Sequence, residues 1–209
     1  MMVAKHADTD DRTARSNAVS LEMVDKARAG DRMAFHQLAD QFQKPIYQMV
    51  YYRTNSRMDA EDITQDVFLQ AFKNIRRLKS SAVFRSWLFR IAVNRVRDFY
   101  RKKRFKSLFG FVSMDQETFQ ETEEMAVDPA AEKELQRRDF WRQIEQMLAS
   151  LSRMEREVFL LRFFDQLTLK EIGESLGKNQ STIKTHLYRA LRKVKDDASR
   201  LDVSLEGLS

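Results

Sequence analysis

Apolar residues recur at helical spacing in four successive stretches of the first half of the chain and again in its last third. The first stretch, Leu21 to Ala29, is short and closes at Gly30-Asp31, a turn followed by a helix-entry residue. A longer pattern starts around Met33, with Asp31 or Arg32 at its entry. Pro45 falls inside it and is expected to kink or split the helix, because proline lacks the N–H and its ring clashes with the preceding turn. A break at Thr54 to Asp59 precedes a helix from Asp59 to Ile75. At about 100° per residue, Ile63, Val67, Phe68, Ala71, Phe72 and Ile75 share one face of it, which is read as core. The stretch Leu78 to Val83 then separates that helix from Phe84 to Arg104, where Phe84, Trp87, Leu88 and Ile91 form a buried stripe. A second edge of this helix, Phe89, Val93, Val96 and Tyr100, reads either as a second packed side or as a platform for unpaired bases, with core favoured for Val93 and Val96. Four such helices can share one core, giving a first domain over residues 20–105 behind a polar, aperiodic tail over 1–19 that is expected to be disordered.

The last third has different punctuation. Asp128-Pro129 supplies an N-cap and a proline at the first helical position, so a helix is expected from Pro129 to about Ala149. Ser152 with Glu155 and Thr168 with Glu171 both have the spacing of a capping box, and each should open a helix. The second of these ends at Gly177, and after a tight turn another helix begins behind Asn179. This is the punctuation of a helix-turn-helix over residues 169–188, with a plain helical hairpin as the alternative and the basic outer face favouring the former. Leu169, Ile172 and Leu176 on its first helix, and Ile183, Leu187, Ala190, Leu191 and Val194 on its second, supply the stripes that would hold the pair together. The expected architecture is all-α: a first domain over 20–105, a linker over 106–128, a second domain over 129–200 and a tail over 201–209.

Composition agrees with helices. Only 5 glycines and 2 prolines interrupt 209 residues, of which 33% are charged and 43% hydrophobic. With no cysteine, disulfides and thiol chemistry are excluded. His6, His36 and His186 are read as isolated surface or packing residues, so no metal is expected. Paired cleft carboxylates and Gly-rich phosphate loops are also lacking, which leaves no catalytic residue to name and speaks against an enzyme acting on nucleic acid. No apolar run approaches the roughly 20 residues needed to cross a bilayer, and the first residues lack the apolar stretch of a signal peptide. A cytoplasmic protein without membrane insertion is expected.

Charge changes the picture more than composition does. The net charge is +6, yet Lys73 to Lys106 alone holds thirteen basic residues against Asp98, a local +12. A solvated helix face mixes signs, so this density points to a surface that tracks phosphates and releases their counterions. Arg90, Asn94, Arg97, Arg101 and Arg104 recur along one side of the helix. The stretch Asp115 to Glu134 inverts the balance to minus seven, the signature of a solvated linker. On the Asp59 to Ile75 helix, Asp62, Gln65, Asp66, Leu69 and Lys73 line the side opposite the core stripe; this reads as a solvated face or, given the apolar Leu69 among polar groups, as a partner surface. The outward side of the last helix shows Ser181, Lys184, Thr185, Tyr188, Arg189 and Arg192, side chains suited to base edges and phosphates in a major groove.

Four stretches in order, GDRMAFHQLADQF, DAEDITQDVFLQAF, WLFRIAVNRVRDFYR and LTLKEIGESLGKNQSTIKTHLYRALRKVK, resemble the extracytoplasmic-function sigma factors, which contain regions two and four of larger sigma factors. The similarity runs from about Leu21 to Lys195 and leaves the acidic linker without a counterpart. The resemblance implies a chain that binds core RNA polymerase, through its beta-prime clamp helices and beta flap, and directs it to promoters without cofactor or catalysis of its own. Asp62, Gln65, Asp66, Leu69 and Lys73 would meet the clamp helices. The basic helix would recognise and open the element near minus ten, with Asn94 at the family's asparagine position and the loop LKSSAVFRS receiving a flipped base. Lys184, Thr185 and Arg189 would occupy the main contact positions for the element near minus thirty-five. Asn179-Gln180 departs from the proline or serine common in the family's turn, and the apolar run Phe105 to Val112 is unusual. An anti-sigma factor is a further implied partner. The competing reading is a free-standing helix-turn-helix regulator, which would not need the acidic helix.

Overall fold

The computed structural model describes residues 20–108 and 146–201, with the side chains of 106–108 and 197–201 left aside. The expected tail over 1–19, most of the expected linker, the start of the expected Pro129 helix and nearly all of the C-terminal tail lie outside the described residues. Among the described residues every regular element is a helix: α1 (Leu21–Ala29), α2 (Arg32–Thr54), α3 (Arg57–Asn74), α4 (Phe84–Leu108), α5 (Arg153–Phe163), α6 (Leu169–Leu176) and α7 (Gln180–Leu201). Two single 3-10 turns, Ile75–Arg77 and Ser81–Val83, lead from α3 into α4.

Side-chain caps fix where the helices start. Ser20 Oγ accepts from the Met23 N–H at 3.3 Å, and Asp31 Oδ1 from the N–H groups of Met33 and Ala34 at 2.8 and 3.1 Å. Asp31 is therefore the entry residue of α2. Ser56 caps α3 by accepting from the Asp59 N–H, so that helix opens at Arg57, two residues before the position expected from the sequence. The expected split at Pro45 does not occur, and α2 runs unbroken from Arg32 to Thr54. Phe42 and Ile46, on either side of the proline, are both buried, and their packing outweighs the roughly 3 kcal/mol that a proline costs inside a helix.

By their packing, the described residues form two units. One takes in the chain up to Lys103 together with Leu160–Lys184; the other takes in the remainder. In the first unit, α2 packs on both α1 and α3, and α1 also packs on both 3-10 turns. Val24, Leu38, Ile46, Met49, Val67 and Leu88 are buried to within 1% of full enclosure. The Phe42 and Phe84 rings meet edge to face at 5.6 Å, joining α2 to the first turn of α4. Leu160, Leu161, Leu167, Ile172 and Ile183 are the buried apolar residues that the last third of the chain adds to this unit. In the second unit Leu148, Leu151, Val158, Phe159, Ala190 and Val194 are buried. There the expected capping box forms: Ser152 Oγ accepts from the Glu155 N–H at 3.4 Å and Glu155 Oε2 from the Ser152 N–H at 2.9 Å.

Candidate nucleic-acid interface

The basic helix α4 is sorted by side as its periodicity requires. Phe84, Leu88, Phe89, Ile91, Ala92, Val93 and Val96 are buried, while Arg90, Asn94, Arg101 and Arg104 are exposed and Arg97 is half-buried. The second edge is thus core at Phe89, Val93 and Val96, and of it only Tyr100 stays exposed. Its hydroxyl donates to the Arg53 carbonyl, which holds the ring beside the basic track. Trp87, expected in the buried stripe, is half-buried, with its ring 5.9 Å from that of Phe84. Arg101 makes a 3.1 Å pair with Asp98, but the arginine is exposed and the aspartate only half-buried, so the arginine can exchange this partner for a phosphate at little cost.

The loop ahead of α4 is pinned from α1. Ser81 Oγ donates to Asp25 Oδ1, and Arg28 Nη1 donates to Asp25 Oδ1 at 2.8 Å and to Ser81 Oγ at 3.2 Å. The Ser81 hydroxyl, and after it the Arg28 guanidinium, hold the Asp25 carboxyl below its ordinary value. Ser80 caps the 3-10 turn by accepting from the Ala82 N–H at 3.3 Å. A loop pinned at Ser80 and Ser81 in this way keeps its shape before any ligand arrives.

On α3, Asp62, Gln65, Asp66, Leu69 and Lys73 are all exposed on one side. Phe72 corrects the core expectation: it is 46% exposed, meeting Phe35 edge to face at 5.1 Å, while Leu69 is 51% exposed. Phe72 sits at the margin of the buried stripe, where the helix turns toward solvent, so the face carries two large apolar side chains among acidic ones. Such an arrangement suits a protein partner better than bulk water.

The helix-turn-helix forms where the punctuation placed it. Thr168 Oγ1 accepts from the Glu171 N–H at 3.2 Å and Glu171 Oε2 from the Thr168 N–H at 2.8 Å, completing the capping box of α6. Gly177 closes the helix at φ 64, a left-handed conformation that glycine adopts without a steric penalty. Gly173 is required for another reason: a Cβ there would stand 2.8 Å from the Lys178 carbonyl oxygen, so the turn can fold back only over a glycine. Asn179 Oδ1 then caps α7 by accepting from the Thr182 N–H at 2.8 Å, and it also accepts from Ser181 Oγ at 2.9 Å. Ser181, Lys184, Thr185, Tyr188, Arg189 and Arg192 are all exposed on α7. Leu191, expected in the apolar stripe, is 38% exposed, because it lies between the buried Ala190 and the outward Arg192.

His36 does have an acidic neighbour one turn away: its Nδ1 lies 3.9 Å from Asp40, and both side chains are exposed. His6 has Asp10 at the same spacing, outside the described residues. Among the described residues no group of three or more possible metal ligands occurs, and no helix is long and apolar enough to cross a membrane.

Sequence reasoning missed a set of polar contacts at the N-terminal end of α4. Arg85 bridges both carboxylate oxygens of Glu171 at 3.0 and 3.1 Å, and Arg53 pairs with Asp165 at 2.9 Å with side chains only 5% and 2% exposed. Each partner lies about eighty residues or more from its mate in the sequence, a distance over which no local pattern carries a signal.

The element order and the outward basic faces define an all-helical protein carrying a helix-turn-helix. Comparison with known proteins narrows the class. The sigma-70 region 2 family matches residues 38–106, and the sigma-70 region 4 family matches residues 141–194. The chain is 31% identical to the ECF RNA polymerase sigma factor SigW of Bacillus subtilis over 81% of this chain and 93% of that one. It is 30% identical to the ECF RNA polymerase sigma factor BldN of Streptomyces coelicolor over 84% of this chain, which spans 64% of BldN's length. The fold is shared with CnrH, solved in complex with the cytosolic domain of CnrY, at a TM-score of 0.62 and 24% identity over 85% of this chain and 96% of CnrH. It is shared also with RpoE of Bartonella quintana, solved with the anti-sigma factor NepR, at a TM-score of 0.55 and 23% identity over 78% of this chain and 94% of RpoE. The chain belongs to the extracytoplasmic-function RNA polymerase sigma factors.

Proposed function

We propose that this sigma factor divides its work among three surfaces: the acidic-apolar face of α3 for the polymerase, the basic face of α4 for the minus-ten element and the outward face of α7 for the minus-thirty-five element. Asp62, Gln65, Asp66, Leu69 and Lys73 contact the beta-prime clamp helices, and the half-exposed Phe72 extends that patch. Arg90, Asn94, Arg97, Arg101 and Arg104 track the strand being separated, while the pinned loop 78–86 receives a base turned out of the stack. Ser181, Lys184, Thr185, Tyr188, Arg189 and Arg192 read the upstream element in the major groove. The working domains are 20–105 and 129–200, joined by the acidic stretch over 106–128, which would be repelled by DNA. The chain supplies specificity and leaves phosphodiester chemistry to the polymerase. It works in the cytoplasm, beside the genome, and two fold neighbours solved with CnrY and NepR support an anti-sigma factor as a further partner.

The observation that carries this reading is the one-sided display of α4: a continuous buried stripe and, opposite it, exposed Arg90, Asn94, Arg101 and Arg104. A free-standing regulator would need a helix-turn-helix but no second DNA-facing helix and no acidic-apolar face. Size-exclusion of the full chain with bacterial core polymerase tests the polymerase surface. The chain should co-migrate with core, and Asp66→Arg should abolish co-migration. A wild-type chain that elutes apart from core would overturn the reading.

A further inference from the structure

The two 3-10 turns that carry the chain from α3 into the basic helix both pack on α1. At the first, the Arg76 guanidinium lies over Gly30 at the end of α1, so close that a Cβ there would stand 2.7 Å from its Nη2. At the second, the Ser81 hydroxyl donates to Asp25 Oδ1 and accepts from Arg28 Nη1 at 3.2 Å, while Arg28 Nη1 also donates to Asp25 Oδ1 at 2.8 Å. The three groups close a triangle that joins one turn of α1 to a residue more than fifty positions further along the chain. Among the described residues, the side chains outside the loop that hydrogen-bond to residues 78–83 are Asp25, Arg28 and, locally, Ser86 on the Val83 carbonyl. Ser81 is only 8% exposed, whereas Lys79, Ser80 and Ala82 around it are exposed. The triangle therefore grips the loop by its buried residue and leaves the neighbouring ones open to a ligand.

We propose that Asp25 and Arg28 are positioning residues for base selection: from α1, outside the basic helix, they fix through Ser81 the loop that takes the turned-out base, and so set which base the minus-ten element must offer there. The inference rests on the assignment of base capture to this loop made above. A base is told from its rivals only when the groups that line its site are held to within about 0.5 Å, and a loop without a brace must be ordered at the moment of binding. The brace has little to do with holding the fold together. The Asp25 and Arg28 side chains are 59% and 29% exposed, and ion pairs at such exposure add little to stability. Arg28 also offsets the Asp25 charge, so the brace sets no net negative charge beside an anionic strand. Neither residue needs to touch DNA for the loop to depend on it.

The test is transcription by core polymerase with the full chain, on one promoter mapped with this sigma factor and remade with each of the four bases at every minus-ten position. The wild-type chain should favour one base at the position served by the loop, and Ser81→Ala should mark that position by levelling the preference there. Asp25→Ala should level it at the same position, lowering the ratio of transcript from the preferred base to that from the others by about fivefold or more. Ratios at the remaining positions and at the minus-thirty-five element should stay as in wild type. Asp25→Ala/Ser81→Ala should be no worse than either single variant, because both act through one contact. Asp25→Asn, which keeps an oxygen for the Ser81 hydroxyl, should restore most of the preference, and Arg28→Gln should lower it in part. Circular dichroism confirms that each variant is folded. An Asp25→Ala chain that keeps the wild-type ratio where Ser81→Ala loses it, or that lowers transcript equally from every template, would overturn the positioning role. If Ser81→Ala also leaves every ratio intact, base capture by this loop is wrong, and the positioning role falls with it.

Discussion

Lys193 Nζ lies 2.7 Å from Glu155 Oε2, and the glutamate side chain is only 6% exposed, so one ion pair ties α7 to the first turn of α5. The Lys193 ammonium, helped by the Ser152 N–H, lowers the Glu155 carboxyl from its ordinary 4.5 to about 2. The folded-state value is depressed, so the stabilisation is fully present above about pH 4.5 and is lost as pH falls toward 2. Lys193→Met should cost about 1–3 kcal/mol at neutral pH, because it leaves a buried carboxylate short of its strongest donor. It should also flatten the loss of stability between those two pH values. Urea unfolding followed across that range measures both effects, and parallel curves for variant and wild type would refute the assignment.

Thr168 begins α6 through a reciprocal pair of hydrogen bonds with Glu171. Thr168→Ala should lower stability by about 1 kcal/mol, and Thr168→Ser should recover most of it, since the hydroxyl rather than the methyl makes the cap. Denaturant midpoints of the two variants decide the matter.

Arg90 is exposed on the basic side of α4. If it neutralises one phosphate, Arg90→Ala should weaken holoenzyme binding to promoter DNA at low salt and reduce the slope of log affinity against log salt by about one. An unchanged slope would mark the residue as merely solvated. Arg97, half-buried on the same side, should give the same sign with a smaller change.

Arg189 is exposed on α7, next to the buried Ala190 that fixes the helix's inner face. Arg189→Ala should cost about 1–3 kcal/mol of affinity for the upstream element and relax the base preference at one position there. Footprinting over a promoter library reads out both changes, and a footprint identical to wild type would rule out base readout by this residue.

Much of this was legible in the sequence because the signals were local. Thr168 with Glu171, Gly177 and Asn179 each act within a few residues of their own position, and the structure shows each of them in the expected role. The basic face of α4 was legible because helical periodicity and charge reinforce one another over many turns. What was not legible depended on tertiary packing. Pro45 was expected to interrupt α2, but buried neighbours on both sides carry the helix through. Phe72 and Leu191 matched the apolar period, yet each sits at the margin of its stripe, where burial depends on how wide the covering surface is. The contacts of Arg53 and Arg85 join residues more than eighty positions apart, and no local pattern marks either arginine.

The most direct measurement of the central claim is in vitro transcription on genomic DNA by core polymerase with and without this chain, with the 5′ ends of the transcripts mapped. The chain should create a set of new start sites that share two upstream elements spaced to suit regions two and four, and Arg189→Ala should diminish that set. Start sites unchanged from those of core polymerase alone would contradict the account.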